Sequence, residues 1–323
     1  MKMLYLSFMT LVSMLISSKR MPGRDWQTEF HARLFKRFFL AANQYGPQWS
    51  RKVLESVTSK SSVTQRINVE EIKLAHVPTQ KITPQSVNSE VLRIIVFMHG
   101  GGYLTGSAKA YLAFVARLAD QSNLLTYSVD YRLSPEHPFP IPQEDCYTAI
   151  HEIAKLHPEH QLVLMGDSAG GGLCISACLH GDDALRSRIA GLGLISPWVD
   201  PSSTSGTMES NLSNDMFTLD ILADSFAQHM QGADPMDTRV NFTQAPLDRL
   251  PPVHIQVASG EVFFDQIIEF AERTKAGGIP TTIEVFDAQF HVFQTIAHHF
   301  EDAKRARASL VTFARSGPTA VVN

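Results

Sequence analysis

Residues 91–98 read VLRIIVFM, a nearly continuous apolar run of the kind a strand buried on both faces requires. Further strand-like stretches recur at 124–129, 161–165, 189–195, 253–258 and 281–286. Residues 67–77 alternate apolar and polar and read as one half-buried strand. Helical periodicity fills most of the intervals, over 107–121, 142–157, 169–180, 218–231, 264–277 and 296–315. Alternating strands and helices predict an α/β fold, with a mostly parallel central sheet flanked by helices. The polar segment 200–217 reads as a loop over one edge of that sheet.

The first 66 residues have a different character. Trp26, Phe30, Leu34, Phe35, Phe38 and Phe39 recur at helical spacing, with Arg33, Lys36 and Arg37 on the other side, so 25–55 reads as helical. Residues 56–66, rich in Ser, Thr and Lys, read as a linker. The organisation expected is an N-terminal helical unit over 1–65 and a main domain over 66–323. Residues 3–16 are strongly apolar and follow Lys2. This run is shorter than the ~20 residues that span a bilayer, and no small-residue cleavage site follows it. An apolar helix packed on the protein or touching a membrane surface is the plain reading, and a signal segment or anchor stays as the alternative.

Composition narrows the classes. The 323 residues are 44% hydrophobic and 19% charged, with a formal net charge of -4. That is enough apolar material for a sizeable core, and the charge lacks the basic footprint of a nucleic-acid binder. Three cysteines, Cys146, Cys174 and Cys178, argue against a disulfide framework and suit a reducing compartment. The expected location is cytoplasmic. Cys174 and Cys178 lie four apart on a helix without further ligands in view, so they read as small buried residues rather than a metal pair.

Two motifs carry chemistry. Gly166-Asp167-Ser168-Ala169-Gly170 fits G-x-S-x-G, between an apolar strand and a helix. On that sharp turn a serine is held in strained geometry with its hydroxyl at the C-terminal edge of the sheet, beside a helix N-terminus. The pentapeptide alone arises by chance in about one chain in ten of this length; its placement is what makes it informative. His99-Gly100-Gly101-Gly102-Tyr103 follows the strand 91–98. Successive glycines expose backbone N–H groups without side chains in the way, which is what an oxyanion hole needs, and loops of this HGGG type accompany G-x-S-x-G turns. A phosphate loop would want a Lys-Ser or Lys-Thr that is absent here.

HGGGY at 99–103, YRLSPEHPFP at 131–140 and GDSAGG at 166–171, in that order, resemble the bacterial hormone-sensitive-lipase family of esterases, over about 67–315. The resemblance implies an α/β-hydrolase fold, a carboxylesterase acting on short- to medium-chain acyl esters, and no cofactor. It implies that residues 1–65 form a helical cap over the active site, and that Tyr131, Arg132, Pro135, Glu136 and Pro138 buttress the HGG turn. Phe30, Phe38 and Phe39 of the cap are candidates to line an acyl pocket. The expected partner is a small-molecule ester. A homodimer through the strand 281–286 is plausible by family likeness.

Ser168 needs a base, and in this fold the chain order is Ser, acid, His. That order removes His151, His157 and His160. His180 and His229 fall in helices, His254 in a strand, and His298 and His299 on a helix face. His291, in the loop after strand 281–286, matches the family's position for the base. The acid should follow strand 253–258, where Glu261 and Asp265 both stand. The family more often has Asp in a D-P-L-x-D pattern; here Glu261 falls at the catalytic place and Asp265 at the second acid, so Glu261 is the first choice and Asp265 the alternative. The expected site is Ser168, His291 and Glu261, with the Gly101, Gly102 and Ala169 N–H groups holding the oxyanion. Asp167 reads as a structural hydrogen-bonder. Amide, lactone or carbamate hydrolysis would use the same triad, and a non-catalytic ligand-binding relative would be expected to lack one of these parts.

Overall fold

The computed structural model describes residues 2–16, 21–58, 65–88 and 90–317. The N-terminal part holds α1 (Lys2–Ile16), α2 (Trp26–Tyr45) and α3 (Pro47–Thr58). The helical stretch expected over 25–55 is therefore two helices. Gly46 takes a left-handed φ of 84° and closes α2 through its N–H to the Ala42 carbonyl (2.8 Å). Pro47, with no N–H to give, opens α3.

The sheet has eight strands among the described residues: β1 (Ile67–Leu74), β2 (Val77–Pro84), β3 (Arg93–Met98), β4 (Thr126–Val129), β5 (Gln161–Asp167), β6 (Ile189–Ile195), β7 (Val253–Ala258) and β8 (Thr281–Phe286). Their order is β1-β2-β4-β3-β5-β6-β7-β8. β1 and β2 form an antiparallel hairpin and β2 runs antiparallel to β4; the remaining neighbours are parallel. The single strand expected over 67–77 is thus half of a hairpin. Leu74 pairs with Val77 across a two-residue turn, and Ala75 supplies the positive φ (53°) that Asn or Gly usually supplies. The turn lacks its usual sequence signal, which is why it reads through as strand.

Helices cover the sheet: α4 (Ala108–Ser122), α5 (Ile141–Leu156), α6 (Ala169–His180), the short α7 (Asp183–Arg186) and α8 (Thr207–Ser210), α9 (Leu219–Met230), α10 (Phe264–Ala276), the short α11 (Phe293–Ile296) and α12 (Glu301–Ser316). The helix expected over 296–315 begins only at Glu301; His298 and His299 lie in the turn before it, not on a helix face. β3, β5, β6 and β7 are buried along nearly their whole length, as their apolar runs require. Cys146, Cys174 and Cys178 are buried free thiols. Segment 200–217 carries α8 and lies over the carboxyl ends of the strands, where Asn211 Nδ2 donates to the Ser259 and Glu261 carbonyls (3.1 and 3.0 Å).

Candidate active site

The turn after β5 sets the first component. Ser168 sits at φ 51°, ψ −123°, directly before α6. A non-glycine residue held at positive φ costs about 1–3 kcal/mol, and the surroundings fix it there: Ser168 N–H donates to the Ile195 carbonyl (2.9 Å), and its own carbonyl accepts from Gly172 (3.2 Å) and Trp198 (3.0 Å). The close approach of α6 to β3 requires Gly170, where a Cβ would collide with the Met98 carbonyl. Ala169 is the first residue of α6, so its N–H has no intrahelical acceptor and sits at the positive end of the helix dipole.

The glycine loop after β3 faces this turn. Gly101 and Gly102 take φ of 118° and 61°. Gly100 N–H donates to Asp167 Oδ1 (2.8 Å), while Tyr111 donates its hydroxyl to Asp167 Oδ2 (2.8 Å). Asp167 thus locks the glycine loop to the serine turn, in keeping with a structural part. Burial pushes its carboxyl up to about 6, against the pull of the two hydrogen bonds. Tyr131 donates to the His99 carbonyl (2.6 Å) and stacks on the His99 ring at 4.3 Å, so it does buttress the loop. Arg132 and Glu136 serve elsewhere: Arg132 pairs with Asp145 (2.7 Å), and Glu136 with Arg51 of α3 (2.9 Å). From above, Ser225 of α9 donates its hydroxyl to the Gly102 carbonyl (2.8 Å), and a Cβ on Gly102 would collide with that hydroxyl.

The strand ends of β7 and β8 bring in the remaining two groups. Glu261 Oε2 lies 3.0 Å from His291 Nδ1, and both side chains are buried. Asp265 is exposed and faces away, accepting from the Thr207 N–H (2.9 Å). Phe263 and Phe217 stand edge-on to the His291 ring, at 4.9 and 5.1 Å between centroids. His291 Nε2 is buried without a hydrogen-bond partner; such bonds commonly tighten only when substrate is bound. Burial disfavours the charged form of both partners, pushing Glu261 up and His291 down, while Asp215 and Asp167 pull His291 the other way.

Asp215 was invisible in the sequence. It is a buried carboxylate that accepts from Val262 N–H (2.9 Å) and from His291 N–H (3.0 Å). One side chain therefore ties the loop of Glu261 to the loop of His291. It stands in a segment whose polar composition signals only a loop. Arg24 adds a second tie, donating to the Ala288 (2.7 Å) and Gln289 (3.1 Å) carbonyls just before His291.

Ser168, His291, Gly101 and Gly102 all line one cavity of about 530 Å³. Its wall is largely apolar, with Phe35, Phe39 and Leu54 from the N-terminal helices and Phe217, Ile221 and Leu222 from the approach to α9 and its first turn. Of the three phenylalanines expected here, only Phe39 lines it. Phe38 is buried against Trp49 (5.8 Å) and Phe30 stacks on Trp26 (5.8 Å), because they fall on other faces of α2. Among the described residues no group of His, Cys, Asp and Glu could hold a metal ion.

The family described by its alpha/beta hydrolase fold matches residues 95–295, a span that holds both the glycine loop and the serine turn. The chain belongs to that family. This hydrolase is 27% identical over 301 residues to an esterase of Acinetobacter venetianus, covering 91% of the chain and 98% of that protein. Among solved structures it resembles an esterase of the bacterial hormone-sensitive lipase family, with a TM-score of 0.82, 26% identity, and coverage of 91% of this chain and 99% of that one. It also resembles an esterase/lipase from an uncultured bacterium, with a TM-score of 0.78, 26% identity, and coverage of 96% and 98%.

The Asp215 tie has a measurable consequence for this hydrolase. Asp215→Asn keeps the volume but replaces one acceptor oxygen with a donor, so one of the two backbone N–H groups loses its partner. Misalignment of about 1 Å can cost up to ~10²-fold in turnover, and a loss of this order in kcat, with little change in KM, is expected. The carboxylate also favours the imidazolium form of His291. The acid limb of kcat/KM should lie below the ordinary histidine value of 6.5 in the wild type and move lower still in Asp215→Asn. A pH–rate profile of both proteins reads this; an acid limb that stays put would show that Asp215 is not electrically coupled to His291.

Proposed function

We propose that the protein is a serine carboxylesterase for short- to medium-chain acyl esters, with residues 1–65 as a cap over a catalytic domain of 66–323. The observation that carries the reading is the buried Glu261–His291 pair, whose imidazole lines the same cavity as Ser168 on its strained turn. The esterase names of the similar proteins support it.

In this reading Ser168 Oγ attacks the ester carbonyl while His291 Nε2 takes its proton. The carbonyl oxygen becomes an oxyanion held by the N–H groups of Gly101, Gly102 and Ala169. Glu261 orients the imidazole and stabilises its cationic form. His291 returns the proton to the leaving alcohol, which departs as the C–O bond breaks, and an acyl-enzyme remains. Water, losing its proton to His291, attacks the acyl carbon; the proton passes to Ser168 as the acid leaves.

A cavity of about 530 Å³ with an apolar wall suits a small acyl ester and lies within the size range of small-molecule sites. A panel of p-nitrophenyl acetate, butyrate and octanoate, set beside the matching anilides, tests the class. Ester turnover with far slower anilide turnover is expected; anilides cleaved as fast as esters would move the assignment to an amidase. β8 is an edge strand of the sheet, and a homodimer would pair along it.

A further inference from the structure

The helix α1 turns an apolar face to solvent. Among its described side chains Thr10 is the buried one, with its hydroxyl returned to the Leu6 carbonyl (2.8 Å), and Ser13 donates its hydroxyl to the Thr10 carbonyl (2.8 Å). Five large apolar side chains face outward, while Met3, Leu6, Met9, Val12 and Met14 are half-buried. Leu4, Tyr5, Phe8, Leu11 and Leu15 are exposed by 76%, 63%, 61%, 39% and 88%. Spacings of four, three and four residues from Leu4 through Phe8 and Leu11 to Leu15 put them on one face of the helix. No other element of the described residues gathers so many exposed large apolar side chains, and a contiguous exposed patch of this kind marks an interaction surface.

The charge pattern names the surface. Before Arg24 the chain carries Lys2, Lys19 and Arg20 and no acidic residue, although the whole chain is net -4. Basic residues that flank an apolar helix in the sequence, with aromatic residues on its exposed face, fit the boundary of an anionic bilayer. Length decides how the helix would lie. At 15 residues α1 is about 22 Å long, short of the ~30 Å hydrocarbon core. Among the described residues no helix is long and apolar enough to cross a membrane.

We propose that α1 docks the protein on an anionic lipid surface, lying in the plane of the interface with Leu4, Phe8, Leu11 and Leu15 buried among the lipids. α1 packs on α2, and α2 also lines the cavity with Phe35 and Phe39. Docking would therefore hold one wall of the substrate cavity a single helix away from the lipid surface.

The test is sedimentation of the full-length chain with vesicles of phosphatidylcholine alone and of phosphatidylcholine with phosphatidylglycerol, at low and high salt. Wild type should sediment with the anionic vesicles and less with the neutral ones, and salt should weaken the difference. The double variant Leu4→Glu/Phe8→Glu should lose at least about tenfold in vesicle affinity, since charge on the apolar face opposes burial. Its turnover of soluble p-nitrophenyl butyrate should match wild type, which also shows that it folds. Wild type left in the supernatant, or a double variant that binds equally well, overturns the proposal. Equal binding to both vesicles overturns the choice of an anionic surface. A wild type that self-associates in solution through this face and ignores vesicles identifies a second copy of the chain as the partner instead.

Discussion

Ser168→Ala should lower kcat on p-nitrophenyl butyrate by about 10⁵- to 10⁶-fold while leaving the fold intact. The size of the loss follows from what the hydroxyl does. In the proposed mechanism no acyl-enzyme forms without it, and His291 and Glu261 have no nucleophile to serve; the residual rate would come from binding and from backbone donors acting on water. The side chain itself contributes little to packing, because the local backbone is held by the bonds of Ser168 N–H to Ile195 and of its carbonyl to Gly172 and Trp198. Alanine keeps those bonds. Stopped-flow detection of a p-nitrophenol burst separates the possibilities, since wild type should show one and the variant none. Retention of more than about a tenth of wild-type turnover would remove Ser168 from the mechanism.

Glu261→Ala should cost about 10⁴-fold in kcat, and Asp265→Ala should cost almost nothing. The two carboxylates are four residues apart in sequence but have different surroundings. Glu261 is buried at 3.0 Å from His291 Nδ1, whereas Asp265 is exposed and caps the first turn of α8 through the Thr207 N–H. Loss of Glu261 leaves a buried imidazole with no acceptor for its Nδ1 proton and without the carboxylate hydrogen-bonded to it. Loss of Asp265 removes one exposed hydrogen bond, a matter of about 1 kcal/mol of stability. Measuring kcat and thermal midpoints for both variants distinguishes a chemical loss from an unfolding loss. A larger fall for Asp265→Ala, with both variants folded, would exchange the two assignments.

The parts of this molecule that were legible in the sequence are those governed by short-range rules. Strands β3, β5, β6 and β7 are buried on both faces, so each had to be an apolar run. The serine turn and the glycine loop need backbone that few residues other than glycine permit, and that demand writes itself as a motif. What stayed hidden was set by contacts between distant segments. Asp215 lies among serines and asparagines that announce only a loop, and its two acceptor bonds go to residues 47 and 76 positions away. The contribution of α9 to the cavity wall is equally non-local. The Ala75 turn escaped because an alanine there does the work of a glycine, and the break at Gly46-Pro47 was overridden by the strong apolar periodicity on its N-terminal side. Phe38 and Phe39 are neighbours in sequence, yet one faces Trp49 and the other the cavity; periodicity identifies a face only once the partner elements are known.

The hydrogen bond from Ser225 to the Gly102 carbonyl makes α9 more than a wall. The same helix that lines the cavity holds one peptide of the glycine loop in register. Moving α9 outward to make room for a bulky ester must stretch or break that bond, so widening the cavity on this side and keeping the loop aligned are opposing demands. Enlarging substrate scope by loosening α9 would then carry a built-in loss of rate, whereas carving space from the Phe35–Phe39 side would leave the loop untouched.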